Sequence, residues 1–250
     1  MILIGLLLIF FIGYLAVISL HPQAGIGERF SLALPFGLGL ATLTLWAMLA
    51  VHAPVSQSSL VLFLVVLAAV LFYPALRGGS FIPQFPSIAL TKTKPGFHSI
   101  PIFLLIGCGV VFNTFYPITV PDGIGHKIFG EIAVTKQNLM VFKDTIRVVN
   151  DQNRTLGFQL LSGVFRLFGF NHPKLVQSVF YVSLLGLFYV AIRKFLDPTP
   201  AKGFTLLLAT APMVWWHSFL YLNNLSSGFY FFCGTLYWFL SVHHKQPRYL

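Results

Sequence analysis

The chain has 250 residues, of which 56% are hydrophobic and only 9% charged, with a mean hydropathy of +0.81. Soluble domains carry about 25% charged residues, so a soluble enzyme and a disulfide scaffold with two cysteines are both excluded. The formal net charge of +10 comes from basic residues lying between apolar runs, where topology and anionic lipid account for it and nucleic-acid binding does not.

Taken in order, hydropathy predicts seven membrane spans: Ile2–Leu20, Phe30–His52, Ser59–Leu76, Phe97–Pro117, Leu175–Ile192, Phe204–Leu222 and Ser226–Val242. About 20 apolar residues cross the hydrocarbon core. The first run has no basic stretch before it and no small-residue cleavage site after it, so it reads as a retained span. Pro35, Gly37, Gly39 and Pro212 are compatible with membrane helices, whose neighbours satisfy the freed backbone groups. None of the seven contains Asp, Glu, Lys or Arg. Cys108 and Cys233 sit inside apolar runs and read as small hydrophobes.

Orientation follows from lysine and arginine in the short links. Arg29, Arg77, Lys92, Lys94, Arg193, Lys194, Lys202, Lys245 and Arg248 fall on one side, and the links His52–Ser58 and Asn223–Leu225 on the other carry none. The basic side is expected to be cytoplasmic, with the N-terminus outside and the C-terminus inside a bacterial inner membrane. The stretch 78–96, rich in Pro, Ser and Gly, is the one linker-like segment. Residues 1–96 then form a leading part and 97–250 a core part.

Between the fourth and fifth spans lies a long outer segment, Ile118–Lys174, with four of the six acidic residues and seven of the sixteen basic ones. Apolar residues recur at helical spacing in Ile124, Ile128 and Ile132, and again from Leu156 to Phe168. The second run is amphipathic, with Gly169 as its stop, and is expected to lie in the interface plane.

Asp122 follows the end of the fourth span by five residues, and His126 comes one helical turn later. A carboxylate beside an imidazole at the membrane surface can take a proton from a hydroxyl or help hold a divalent cation. Equally, Asp122 before Gly123 is a fair helix-start or turn residue. Lys127, Arg147 and Arg154 share this compartment, and such clusters meet phosphate groups, whether of a substrate or of lipid headgroups. Trp215 and Trp216 read as an aromatic belt, and Asn223-Asn224 as a helix cap or a sugar contact.

The order of these features carries a resemblance. A span ends in Phe115-Tyr116-Pro117, Asp122-Gly123-x-x-His126 opens an outer loop, and an amphipathic helix ends in Phe165-Arg166-Leu167-Phe168-Gly169. A span then closes on Arg193-Lys194, and the next carries Ala211-Pro212 and leads to Ser218 and Asn223-Asn224. Over about 97–242 this resembles the N-terminal portion of GT-C superfamily glycosyltransferases of the family 39 type, related to dolichyl-phosphate-mannose protein mannosyltransferases. It departs from many relatives in having Gly123 directly after the aspartate, and Arg154-Thr155-Leu156-Gly157 where they place prolines.

The resemblance implies an all-α polytopic bundle that moves a sugar from a polyprenyl-phosphate donor to an acceptor on the extracytoplasmic face. Asp122 would activate the acceptor hydroxyl or position the donor phosphate, with a divalent metal ion as an option at that residue. His126 would orient Asp122 or meet the phosphate. Lys127, Arg147 and Arg154 would contact the phosphate, and Asn224 the substrate. Membrane lipids are the other partner, and nucleic acid is not one. Relatives have further spans, so the chain is expected to be part of a longer enzyme, a truncated product or a minimal non-catalytic paralogue. A flippase component for lipid-linked sugars and a non-catalytic scaffold subunit remain the rival classes. A flippase would line a path with intramembrane polar residues, and apart from Asn113, Gln177 and serines the spans offer few.

Overall fold

The computed structural model describes residues 2–77, 99–119, 121–137, 157–170 and 172–244, with the backbone alone for 2, 121–123, 157, 243 and 244. The described residues form helices and connecting turns with no strand: α1 (Ile2–Leu20), α2 (Ile26–Ala50), α3 (Gln57–Arg77), α4 (Ser99–Phe115), α5 (Pro121–Lys136), α6 (Gly157–Leu167), α7 (Leu175–Ile192), α8 (Pro198–Thr210), α9 (Pro212–His217) and α10 (Asn224–His244). Five of them, α1, α2, α3, α7 and α10, are long and apolar enough to cross a membrane. The protein is an all-α membrane bundle. Its outer surface is apolar, as Leu62, Phe63, Val66 and Val70 of α3 and Phe103 and Leu104 of α4 illustrate, and only lipid solvates such a face well.

Two of the seven expected spans look different in three dimensions. The fourth is the 17-residue α4, about 25 Å long at 1.5 Å per residue. The sixth is not one helix. It begins at Pro198 rather than Phe204 and breaks at Ala211, whose extended backbone (φ −55°, ψ 123°) is what a following proline enforces. Pro35 and Pro74, by contrast, stay inside α2 and α3.

The second span also starts earlier than expected, at Ile26, so α2 carries Glu28 and Arg29 buried in its first turn. The charges are accommodated locally. Gly25 N–H donates to Glu28 Oε2 at 3.1 Å, while Lys194 at the end of α7 donates to Glu28 Oε1 at 3.0 Å. The Arg29 guanidinium turns back onto the carbonyls of Ala24 (2.8 Å) and Pro22 (2.7 Å).

Close helix crossings depend on glycine. Where α1 meets α2, a Cβ on Gly13 would fall on the Ala33 carbonyl and one on Gly37 on the Ile9 carbonyl. Small residues of this kind let membrane helices approach backbone to backbone. α5 and α6 cross in the same manner, with Gly130 against Gln159 and Ser162, and Gly163 against Val134 and the Gly130 carbonyl.

The amphipathic α6 spends its apolar face on protein. Leu160, Leu161, Val164, Phe165 and Phe168 are buried in the core shared with α1, α2 and α5. The helix stops at Gly169, which takes φ +75° while Phe170 N–H bonds the Phe165 carbonyl at 2.8 Å, a left-handed C-terminal cap.

The connections sort to two ends. At one end lie the α1–α2 link and the C-terminal parts of α7 and α10, joined by Glu28–Lys194 and by His21 packed on Tyr237 at 5.5 Å. The other end gathers the α2–α3 link, α5, α6, the start of α7 and the α9–α10 turn. Gln137 there donates to the Val55 carbonyl at 3.4 Å and Gln177 to the Leu222 carbonyl at 2.6 Å. The two links free of lysine and arginine thus share an end with α5 and α6.

Candidate functional site

The site is built where α4 ends and α7 begins. Tyr116 N–H makes the last helical bond to Phe112 (2.9 Å), and Pro117, having no N–H, turns the chain toward α5. Across from this turn, His172-Pro173-Lys174 leads into α7 through short bonds from Leu175 N–H to His172 (3.1 Å) and Val176 N–H to Pro173 (3.2 Å). Lys174 is therefore held against Tyr116: its Nζ donates to the Tyr116 carbonyl at 3.1 Å and lies 5.2 Å from the centre of the Tyr116 ring.

Lys174 is buried, with 5% of its surface accessible, and no carboxylate pairs with it among the described residues. Burial holds its pKa below the ordinary lysine value. A desolvated ammonium with one carbonyl and one aromatic face for company retains donor capacity, because –NH₃⁺ has three N–H groups.

Two clefts meet at this lysine and share the wall Tyr116-Pro117-Ile118. The first, of about 530 Å³, is the more polar, with Lys127, Glu131, His172 and Asn113 in its lining. The second, of about 380 Å³, is lined by Phe112, Trp216, Phe219 and Leu220. The aromatic side chains brace one another, Phe219 lying 4.3 Å from Trp215 and 5.4 Å from Phe112, centroid to centroid. An anion-seeking group thus sits between a polar and an apolar compartment. An amphiphile with an anionic junction has this shape.

Asn113, buried in α4, donates through Nδ2 to Ser178 Oγ (2.8 Å) and to the Ser218 carbonyl (2.7 Å). Because a backbone carbonyl can only accept, the amide orientation is fixed. Asn113 Oδ1 then has no donor among the described residues, and neither has Gln177 Oε1.

The residues singled out in the sequence fare unequally. Asp122 lies in the first turn of α5, one turn before His126, as the spacing anticipates; its side chain is outside the described residues. His126 is buried at 2% accessibility on the α6 side of α5, its ring edge-on to Phe158 at 5.5 Å, while Ser162 Oγ donates to its carbonyl at 3.2 Å. The cleft wall is made by Ile124, Lys127, Ile128 and Glu131, so Lys127 reaches the cleft and His126 does not line it. Arg147 and Arg154 fall outside the described residues. Asn224 does not line either cleft: its Nδ2 bonds Nε2 of His217 at 2.7 Å, and His217 Nδ1 in turn donates to the Met213 carbonyl at 2.9 Å. Among the described residues no three His, Cys, Asp or Glu side chains are grouped to hold a metal ion.

In the sequence Lys174 is one of a basic set and Asn113 a lone polar residue within a span. The available signal was a polar residue inside an apolar run and a lysine directly preceding one. No protein-family model, curated protein or solved structure matches the chain.

Proposed function

We propose that the chain is a membrane glycosyltransferase of GT-C type that draws a sugar from a polyprenyl-phosphate carrier and passes it to an acceptor hydroxyl on the extracytoplasmic face. The observation that carries this reading is Lys174, a buried cation without a carboxylate partner among the described residues, set between a polar cleft and an aromatic one. The phosphate of such a carrier pairs with the ammonium, its isoprenoid chain with the aromatic cleft, and its sugar with the polar cleft. The basic end of the bundle, with Arg29, Arg193 and Lys194, then faces the cytoplasm, and the end carrying α5 and α6 faces out.

In the reaction the acceptor oxygen attacks the anomeric carbon as the bond from that carbon to the phosphate oxygen breaks. The electron pair stays on the phosphate, whose added negative charge Lys174 and Lys127 stabilise. The proton lost by the acceptor goes to the carboxylate of Asp122, a residue of the first turn of α5. Arg147 and Arg154 are further phosphate contacts in this scheme, and a divalent ion at Asp122 would supply additional charge stabilisation.

The test uses the full chain in lipid nanodiscs. Binding of a radiolabelled polyprenyl phosphate is expected to saturate, to weaken with rising salt, and to weaken about 10- to 100-fold when Lys174 is neutralised. Release of polyprenyl phosphate from a polyprenyl-phosphate hexose then reports turnover. A chain that binds no polyprenyl phosphate in any of these conditions refutes the reading.

A further inference from the structure

Besides Lys174, which has no carboxylate partner among the described residues, the polar cleft has a second group to be satisfied. Asn113 contributes to its wall, and Asn113 Oδ1 is an acceptor with no donor among the described residues. The amide cannot turn over to relieve this, since Nδ2 is held by Ser178 Oγ and by the Ser218 carbonyl. A buried acceptor left unmade costs free energy that a donor arriving with a ligand recovers. The oxygen is sealed from bulk solvent, so contact with a ligand requires a side chain of the wall to move aside.

One cleft therefore joins a cation to a fixed acceptor. Phosphate oxygens satisfy the first. The second calls for O–H or N–H, which an ionised phosphate lacks. We infer that Asn113 reads a hydroxyl of the sugar: the phosphate of a lipid-linked hexose rests on Lys174 while one ring hydroxyl donates to Asn113 Oδ1. Asn113 is then a specificity-determining residue, and the substrate class narrows to polyprenyl-phosphate sugars that keep that hydroxyl. This inference rests on the lipid-phosphate reading of the same site. Sites built to bond a hydroxyl reject the analogue lacking it far more strongly than apolar pockets discriminate by size.

The experiment measures equilibrium binding to the full chain in nanodiscs. The probes are polyprenyl phosphate, polyprenyl-phosphoglucose and polyprenyl-phosphomannose, the mono-deoxy analogues of both, and soluble glucose 1-phosphate. For the wild type, at least one sugar-bearing lipid is expected to bind about tenfold more tightly than bare polyprenyl phosphate. Removing one particular hydroxyl abolishes that advantage. In Asn113→Leu the advantage disappears for the intact sugar, the same deoxy analogue costs nothing further, and bare polyprenyl phosphate binds as before. Because Asn113→Leu also removes two hydrogen bonds, the deoxy series on the unaltered chain is the arm that does not depend on the variant folding.

If wild type binds bare and sugar-bearing lipids equally, or no single hydroxyl matters, the Asn113 contact is overturned and the lipid-phosphate reading survives. If polyprenyl phosphate itself fails to bind, the underlying reading fails instead. Glucose 1-phosphate is expected to bind at least a hundredfold more weakly than the lipid. Equal affinity would overturn the aromatic cleft as the seat of the chain and place the ligand in solution.

Discussion

Replacing Lys174 with methionine separates a binding role from a structural one. Methionine keeps an unbranched stem of similar length and removes the charge. The loss to the fold is one charge-assisted bond to the Tyr116 carbonyl, whose net contribution is about 1.5–3 kcal/mol. Against that loss stands relief of the desolvation of a cation that is 5% accessible; replacing buried charge by apolar groups is often neutral or stabilising by about 1–4 kcal/mol. The two effects oppose each other, and their sum runs from a loss of about 3 kcal/mol to a gain of about 2.5 kcal/mol. In a chain of this size 1 kcal/mol moves the melting temperature by about 2–4 °C. Binding is affected differently, because methionine offers a phosphate no ammonium and Lys127 is left as the lysine of the cleft lining. Affinity for polyprenyl phosphate is expected to fall by about 10- to 100-fold. Thermal unfolding in detergent and binding in nanodiscs read the two quantities separately. A variant that melts more than 5 °C lower yet binds polyprenyl phosphate as tightly as wild type would show that Lys174 is a structural strut and refute the reasoning.

The same lysine gives a pH signature. Its folded-state pKa is depressed by burial, so between that value and the ordinary lysine value the unfolded chain holds more protons, and stability rises with pH across the window. Phosphate affinity falls across it as the ammonium is lost, and Lys174→Met should flatten both trends; a wild-type affinity that stays constant past the ordinary lysine value argues against an ammonium contact. Single cysteines at positions 135 and 93, in a chain lacking Cys108 and Cys233, test sidedness: an impermeant thiol reagent on intact cells should label the first and spare the second. Asp122→Asn should lower turnover of an active form about 100-fold or more, as expected for loss of a general base, with His126→Ala costing less; full turnover in Asp122→Asn removes that residue from the mechanism. Gly130→Val places a side chain on the Gln159 carbonyl and Ser162 Oγ, so α5 and α6 should separate at a cost of about 1–3 kcal/mol, visible as a lower melting temperature, whereas an unchanged one would mean the crossing is loose.

Local chemistry determined much of this protein. Apolar runs of about 20 residues must form helices in a membrane because no water is present to satisfy the backbone, which is why α1, α3, α7 and α10 fall close to where hydropathy draws them. Gly169 ends α6 because the backbone there needs a positive φ. The break at Ala211-Pro212 is equally local, yet hydropathy averages over it. What only the tertiary structure decided depends on partners distant in sequence. Glu28 and Arg29 enter α2 because Lys194, far along the chain, closes one pair and the nearby carbonyls of Pro22 and Ala24 take the guanidinium. His126, one turn from Asp122 and so a natural companion to it, goes under α6 because Gly130 and Gly163 bring those two helices into contact. Lys174 looked like any other basic residue near a membrane until the turn at Tyr116 folded over it and took it out of water. Burial and the absence of a counter-charge among the described residues are properties of three-dimensional surroundings, and they, more than residue type, set what a side chain can bind.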